Sequence, residues 1–266
     1  MPALKPSAWI QTMSTTEIQE LVPRYGIENE WFDGKSVHVA RPDAVARFFG
    51  RVPLPIELSL LAGMFKGAKG SCSYTGLDVV GTNARGLRFE VRHNDWIHPG
   101  HSNEVWLYRT AGGHLELRIE SVFLSPAAPR GLATLVLWRM VRACVALDIR
   151  RITLFAIGGR SRDLAGERFR DGSRWGGYYY WPSVGFDGQI DDADRQFIDA
   201  NYRFPQEIEK QPNVRGIFDL EGGKGAHFWR YNGNDVEDCE FLMDGNKMTL
   251  SVAILSAKVQ SLVAEV

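Results

Sequence analysis

Between His114 and Phe186 the apolar residues change their spacing from strand-like to helix-like and back, and this constrains the fold more than any other stretch. Leu115, Leu117 and Ile119 alternate with Glu116, Arg118 and Glu120, as in a strand with one polar face. The run then becomes continuously apolar through Val122, Phe123 and Leu124, which predicts burial on both faces. A turn of small residues follows from Ser125 to Ala133, then an apolar helix from Thr134 to Leu147 and a second apolar strand from Arg151 to Ile157. A strand-helix-strand unit of this kind predicts a parallel pair joined by a right-handed crossover.

The turn itself has chemistry to offer. At the start of a helix the backbone amides point outward without intrahelical acceptors, at the positive end of the helix dipole. Small residues such as Gly131 and Ala133 let an anion approach those amides, and Arg130 is placed to add a charge-assisted hydrogen bond. The same residues equally suit an ordinary tight turn in which Gly131 only satisfies backbone geometry.

Ahead of this unit, Thr15 to Val22 reads as a short helix closed by Pro23, and Asp33-Gly34 as the turn of a hairpin within Trp31 to Val39. Asp43 is placed to cap a helix from Ala44 to Phe49, and Pro55 to Phe65 carries apolar residues at helical spacing. Both helices are expected over one face of an antiparallel meander formed by Gly86 to Arg92, Glu104 to Thr110 and the strand from His114. Beyond Gly158, the polar segment from Arg160 to Arg174 reads as a mobile or helical cover, with a helical turn over Leu164 to Phe169. Asp191 to Tyr202 is a helix ended by Phe204-Pro205, Phe228 to Tyr231 and Glu240 to Met243 are short apolar runs, and Met248 to Val263 is a terminal helix. No linker or repeat interrupts the chain. The expectation is one α/β domain of the α+β kind over 1–266: a mixed, mostly antiparallel sheet flanked by helices, with a core of about 37–188 and a C-terminal extension of 189–266.

Composition narrows the function. The 31 basic residues nearly balance the 32 acidic ones, which removes any global electrostatic case for nucleic acid or an anionic membrane. No apolar run approaches the roughly 20 residues of a membrane span, and the first residues lack the apolar core of a secretory signal, so a soluble, cytoplasmic protein is expected. Cys72, Cys144 and Cys239 are odd in number and widely spaced, as reduced thiols are.

Taken together, the meander, the Gly-containing turn, the helix, the second strand and the aromatic run Gly177-Tyr-Tyr-Tyr-Trp-Pro-Ser-Val-Gly-Phe186 resemble the Gcn5-related N-acetyltransferase family over roughly Gly86 to Gly188. Gly131-Leu-Ala133 matches the second half of that family's Gln/Arg-x-x-Gly-x-Gly/Ala pattern, while Ala128 stands at the Gln/Arg position and Arg130 two residues later. The resemblance implies an acetyl-CoA-dependent acyltransferase that moves an acetyl group directly to an amine of a small molecule or protein. It places acetyl-CoA along Phe123, Leu124, Ser125, Arg130, Gly131, Leu132, Ala133 and Thr134, with its pyrophosphate on the turn amides. It also sets the thioester beside the strand that carries Glu120 and Glu116, with Glu120 as base, and puts an acid at Tyr180 or Tyr179, Trp181 occupying the position where the family most often has tyrosine.

Other readings of the residues stay open. The chain is either an enzyme, a non-catalytic module that keeps this fold for binding, or an effector or toxin acting on a macromolecule. Glu116 and Glu120 are four apart and so share a face, which is either a site or a solvated surface. His93, Asp95, His98 and His101 carry metal-ligand types, but in a single cluster between two strands they read as a polar loop, and no metal is expected. The Arg160 to Arg174 segment is either a solvated loop or a patch that holds an RNA or the 3′-phosphate of CoA.

Overall fold

The computed structural model describes residues 25–79, 82–168, 172, 175–201, 211, 213–220, 223–244 and 248–265. The expected helix over Thr15 to Val22 lies outside the described residues, as do Arg170, Arg174, Tyr202, Phe204 and Pro205. The fold is mixed α/β. Its described strands form one open sheet in the order of the chain: β1 (His38–Val39), β2 (Lys69–Val79), β3 (Thr82–Arg92), β4 (Asn103–Arg109), β5 (Leu115–Ser121), β6 (Arg151–Ala156) and β7 (Val236–Leu242). β1 pairs with β2 in parallel, and β2 through β5 form an antiparallel meander.

Period-two alternation sets the register of that meander. Leu87 faces Leu107, which faces Leu117, and Phe89 faces Val105, which faces Ile119. All six side chains are buried, each contributing roughly 1.5–3 kcal/mol by leaving water. A slip of one residue in any strand would turn its apolar set to the opposite face, so this register is strongly specified. β2 was not expected as a strand, because Gly70, Ser71, Ser73, Thr75 and Gly76 break any apolar alternation. It forms because all eleven of its residues pair with β3, and context of this kind overrides weak local preference.

By their contacts the described residues divide into two compact units that interleave along the chain. Those up to 152, with 243–249 and 255–265, form one, and those in 153–242 and 250–254 form the other. In the first unit, helices α1 (Gly26–Trp31), α2 (Pro42–Phe49), α3 (Pro55–Leu61) and α4 (Leu132–Ala146) accompany the meander. The Asp33-Gly34 hairpin does not form. Trp31 ends a helix instead, and the Asp33 carboxylate accepts the amides of Gly67, at 3.0 Å, and Lys35, at 3.2 Å, so the turn is fixed by a distant loop rather than by a partner strand. Asp43 lies in the first turn of α2 and is not its cap, because Pro42 occupies the first helical position and Arg41 precedes it. α3 stops at Leu61, short of the expected Phe65, where Gly63 turns left-handed at φ 69°. α4 is buried on most of its circumference, and its arginines are neutralised inside: Arg139 and Arg142 each donate to the Glu28 carboxylate, at 2.9 and 3.3 Å, and all three side chains are buried.

In the second unit, α5 (Arg160–Leu164), α6 (Gly177–Ser183), α7 (Asp192–Asn201), α8 (Val214–Phe218) and α9 (Lys224–Asn232) accompany β7. The expected helical turn over Leu164 to Phe169 is displaced to α5, since the amides of Arg160 and Ser161 bond to Gly233 and Asn234 and start the helix early. The Tyr-Tyr-Tyr-Trp run is helical, and Trp181, Phe186 and Phe241 pack with ring centroids 5.3 Å apart in each successive pair. Gly185 sits at φ 111°, where a side chain would meet the Ser251 carbonyl, so the Gly-Phe step depends on glycine. The final helix, α10 (Leu250–Ala264), is apolar along its length, yet among the described residues no helix is long and apolar enough to cross a membrane.

Candidate functional site

The candidate donor site is built on the end of β5 and the start of α4. The expected burial of Val122 to Leu124 on both faces does not occur: β5 ends at Ser121 and these residues are half-buried. The cause is a change of partner. The Phe123 amide donates to Asn103 Oδ1 at 2.7 Å, the His98 amide donates to the Phe123 carbonyl at 2.9 Å, and Leu124 bridges to Ile97. The turn then stays stapled to the loop after β3, with the Ser125 amide donating to the Trp96 carbonyl at 3.0 Å and the Ser125 hydroxyl to the Asp95 carbonyl.

Gly131 caps α4 in the left-handed region, at φ 90°, and the helix starts at Leu132 rather than at Thr134. The Leu132 amide is satisfied by the Pro129 carbonyl at 3.0 Å. Leu132 and Thr134 are buried and Ala133 half-buried, so among the expected contacts Arg130 alone extends a charged side chain into solvent. No hydrogen bond, ion pair or ring contact engages that guanidinium among the described residues. Leu262 of α10 lies against Gly131, where its methyls occupy the space that a side chain would fill.

The two glutamates expected on one polar face have separate fates. Glu116 is buried and spoken for: the Tyr108 hydroxyl donates to it at 3.0 Å and Arg151 Nε at 3.1 Å. Of the two readings of this face, a solvated surface does not hold at Glu116, because its neighbours on β4 and β6 supply partners. Glu120 is exposed at the end of the strand, and its carboxylate accepts from Arg118 Nε at 3.0 Å. Tyr179 and Tyr180 belong to the other compact unit, on α6. The Tyr179 ring lies 5.6 Å from Phe218 with the Arg230 guanidinium 5.5 Å from its centroid, and Tyr180 packs edge-on against Trp181 at 5.0 Å.

The Arg-rich segment is engaged internally wherever it is described. Arg160 pairs with Asp194 at 2.8 Å and stacks 3.7 Å over Phe197, Arg162 pairs with Asp235 at 2.8 Å and Glu167 at 2.6 Å, and Arg168 pairs with Asp163 at 2.9 Å. Asp235 also accepts the Gly158 amide at 2.6 Å. Asp187, just after the Gly-Phe step, accepts the amides of Gly188 and Arg215, each at 2.9 Å. Neither aspartate was singled out in the sequence, where nothing marks one acidic residue as an acceptor for distant amides. His93 Nδ1 accepts the amides of Asp95 and Trp96 and its ring stacks 4.9 Å from Trp96, so it closes a turn. Among the described residues no group of three or more histidine, cysteine or acidic side chains is placed to hold a metal ion. Burial pushes the thiols of Cys72 and Cys239 up to about 12, and that of Cys144 higher still, which leaves them unreactive packing groups.

Comparison of the chain with family models, with curated proteins and with solved structures finds no match in any of the three.

Proposed function

We propose that this protein is a divergent member of the Gcn5-related N-acetyltransferase family that binds acetyl-CoA at the β5–α4 turn and transfers its acetyl group to an amine. One observation carries the reading: an exposed, unpartnered Arg130 stands beside a helix that starts at a left-handed glycine, directly after the last strand of an antiparallel meander. A guanidinium and first-turn amides together suit a pyrophosphate. The Arg130, Gly131 and Ala133 amides would hold that group, the Leu132 amide being engaged by the Pro129 carbonyl, and the bound thioester would supply the activated acyl carbon. Glu120 takes the proton released as the amine nitrogen bonds to that carbon, and the departing sulfur gains a proton as the carbon–sulfur bond breaks, a role that the family resemblance alone gives to Tyr180 or Tyr179. Arg118 orients the Glu120 carboxylate.

The test is calorimetric titration with acetyl-CoA and with CoA, followed by turnover with a panel of amines. Glu120→Gln and Tyr180→Phe are each expected to retain acetyl-CoA affinity and to lower turnover by about 10²–10⁴-fold, the range typical of general acid–base groups. Parental turnover in both variants removes the assignment of base and acid. Absence of binding to either nucleotide removes the family reading.

A second reading has its own support. Leu262 seated against Gly131 suits a chain that keeps this fold to bind a partner and performs no transfer. Binding of CoA and acetyl-CoA with equal affinity, and no transfer to any amine, is the outcome that favours it.

A further inference from the structure

Most arginines in the described residues have a partner: a carboxylate, a backbone carbonyl or an aromatic ring. Those with none are Arg41, Arg47, Arg85 and Arg130. Arg41, Arg47 and Arg85 line one cavity of about 770 Å³ in the first compact unit. They come from separate places, Arg41 just before α2, Arg47 in its last turn and Arg85 on β3. Tyr74 and Thr75 of β2 and Asp43 of α2 complete the polar part of the wall.

The three guanidiniums that line the cavity are charged at every accessible pH, and none is paired with a carboxylate among the described residues. Asp43 is the acidic residue of the lining, so three positive charges against one negative leave an excess of two. A phosphate monoester carries about −1.5 to −2 near neutral pH and presents oxygens that match the guanidinium fork. The cavity is of the size that small-molecule sites have, on the order of 300–1,000 Å³, far larger than a bare phosphate needs. Tyr74 and the apolar lining offer a surface for the remainder of such a molecule.

We infer that this cavity binds a phosphorylated small molecule, with Arg41, Arg47 and Arg85 on the phosphate and Tyr74 against the attached group. The inference stands apart from the acetyl-CoA reading, since it uses none of the residues of the β5–α4 turn.

The test titrates the full chain with inorganic phosphate, AMP and a single-stranded oligonucleotide, following heat and the arginine side-chain resonances, in the parent and in Arg41→Gln, Arg47→Gln and Arg85→Gln. All three side chains are exposed, so the variants are expected to melt with the parent. The expected result is saturable binding of AMP, tighter than inorganic phosphate, weakened about tenfold or more by each variant, as removal of a charged hydrogen-bonding group implies. AMP binding that the three variants leave unchanged overturns the inference, as does absence of binding at millimolar AMP. An oligonucleotide that binds more tightly than AMP, with a salt dependence reporting several phosphate contacts, overturns it in favour of a nucleic-acid surface.

Discussion

Two sets of arginines in this molecule behave in opposite ways. Arg160, Arg162 and Arg168 are close neighbours in sequence, and each folds onto a carboxylate within its own unit. Arg41 precedes α2, Arg47 lies in its last turn and Arg85 lies on β3; none has a partner among the described residues, and all three line one cavity. A dense run of charge in the sequence therefore says little about which charges are available to a ligand. What decides is whether the fold brings acceptors within about 4 Å, and a carboxylate such as Asp194 or Asp235 does this from a distant part of the chain.

The contrast is sharpest where arginines are buried. Glu28→Ala leaves Arg139 and Arg142 inside the first unit without their shared carboxylate, and the expected loss in urea-induced unfolding is about 3–5 kcal/mol. A loss below about 1 kcal/mol would mean that the two guanidiniums find replacement partners, and the line between engaged and available arginines would blur. Next in size is Asp235→Ala, which removes the acceptor for Arg162 and for the Gly158 amide; about 1–3 kcal/mol is expected, together with faster hydrogen exchange at Gly158. Arg47→Gln, on the other side of the comparison, is expected to stay within about 0.5 kcal/mol of the parent, since it is exposed and has no partner among the described residues.

Smaller still is a pH effect at Asp194. Burial raises its pKa, repulsion from Asp191 adds to this, and Arg160 opposes both. The folded protein therefore holds the Asp194 proton to higher pH than the unfolded chain does. The stability linked to that proton is fully present below the unfolded carboxylate value, about 3.9, and is lost as pH rises through the raised folded value. Unfolding free energies measured across this window should fall more steeply for the parent than for Asp194→Asn, which cannot ionise. Equal slopes would show that Asp194 contributes nothing there.

The sequence disclosed the parts whose cause is local. Alternation in Leu87-Arg-Phe-Glu-Val91 identified β3, and the apolar period after Gly131 identified α4 to within two residues. β2 was hidden because its pairing with β3, and not its own side chains, makes it a strand. Glu116 looked like surface because Tyr108 and Arg151, which bury and bind it, are distant in sequence. Arg130 stood out beside the turn, whereas the cavity lined by Arg41, Arg47 and Arg85 had no signature, since convergence of three elements has no period. Leu262 against Gly131 was equally invisible, and it changes the choice of variant. Gly131→Glu, the direct way to block the turn, would force a side chain into Leu262 at a left-handed φ, so a loss of binding would be confounded with damage to the fold.

Arg130→Ala avoids that difficulty, because the side chain is exposed and has no partner among the described residues. The decisive measurement is the affinity of acetyl-CoA for three proteins side by side: the parent, Arg130→Ala and Arg47→Gln. If the β5–α4 turn holds the donor, acetyl-CoA binds the parent at one site, Arg130→Ala weakens it about tenfold with an unchanged melting temperature, and Arg47→Gln leaves it intact. Equal affinity in the parent and Arg130→Ala, or a loss confined to Arg47→Gln, would contradict the assignment of the turn as the acetyl-CoA site.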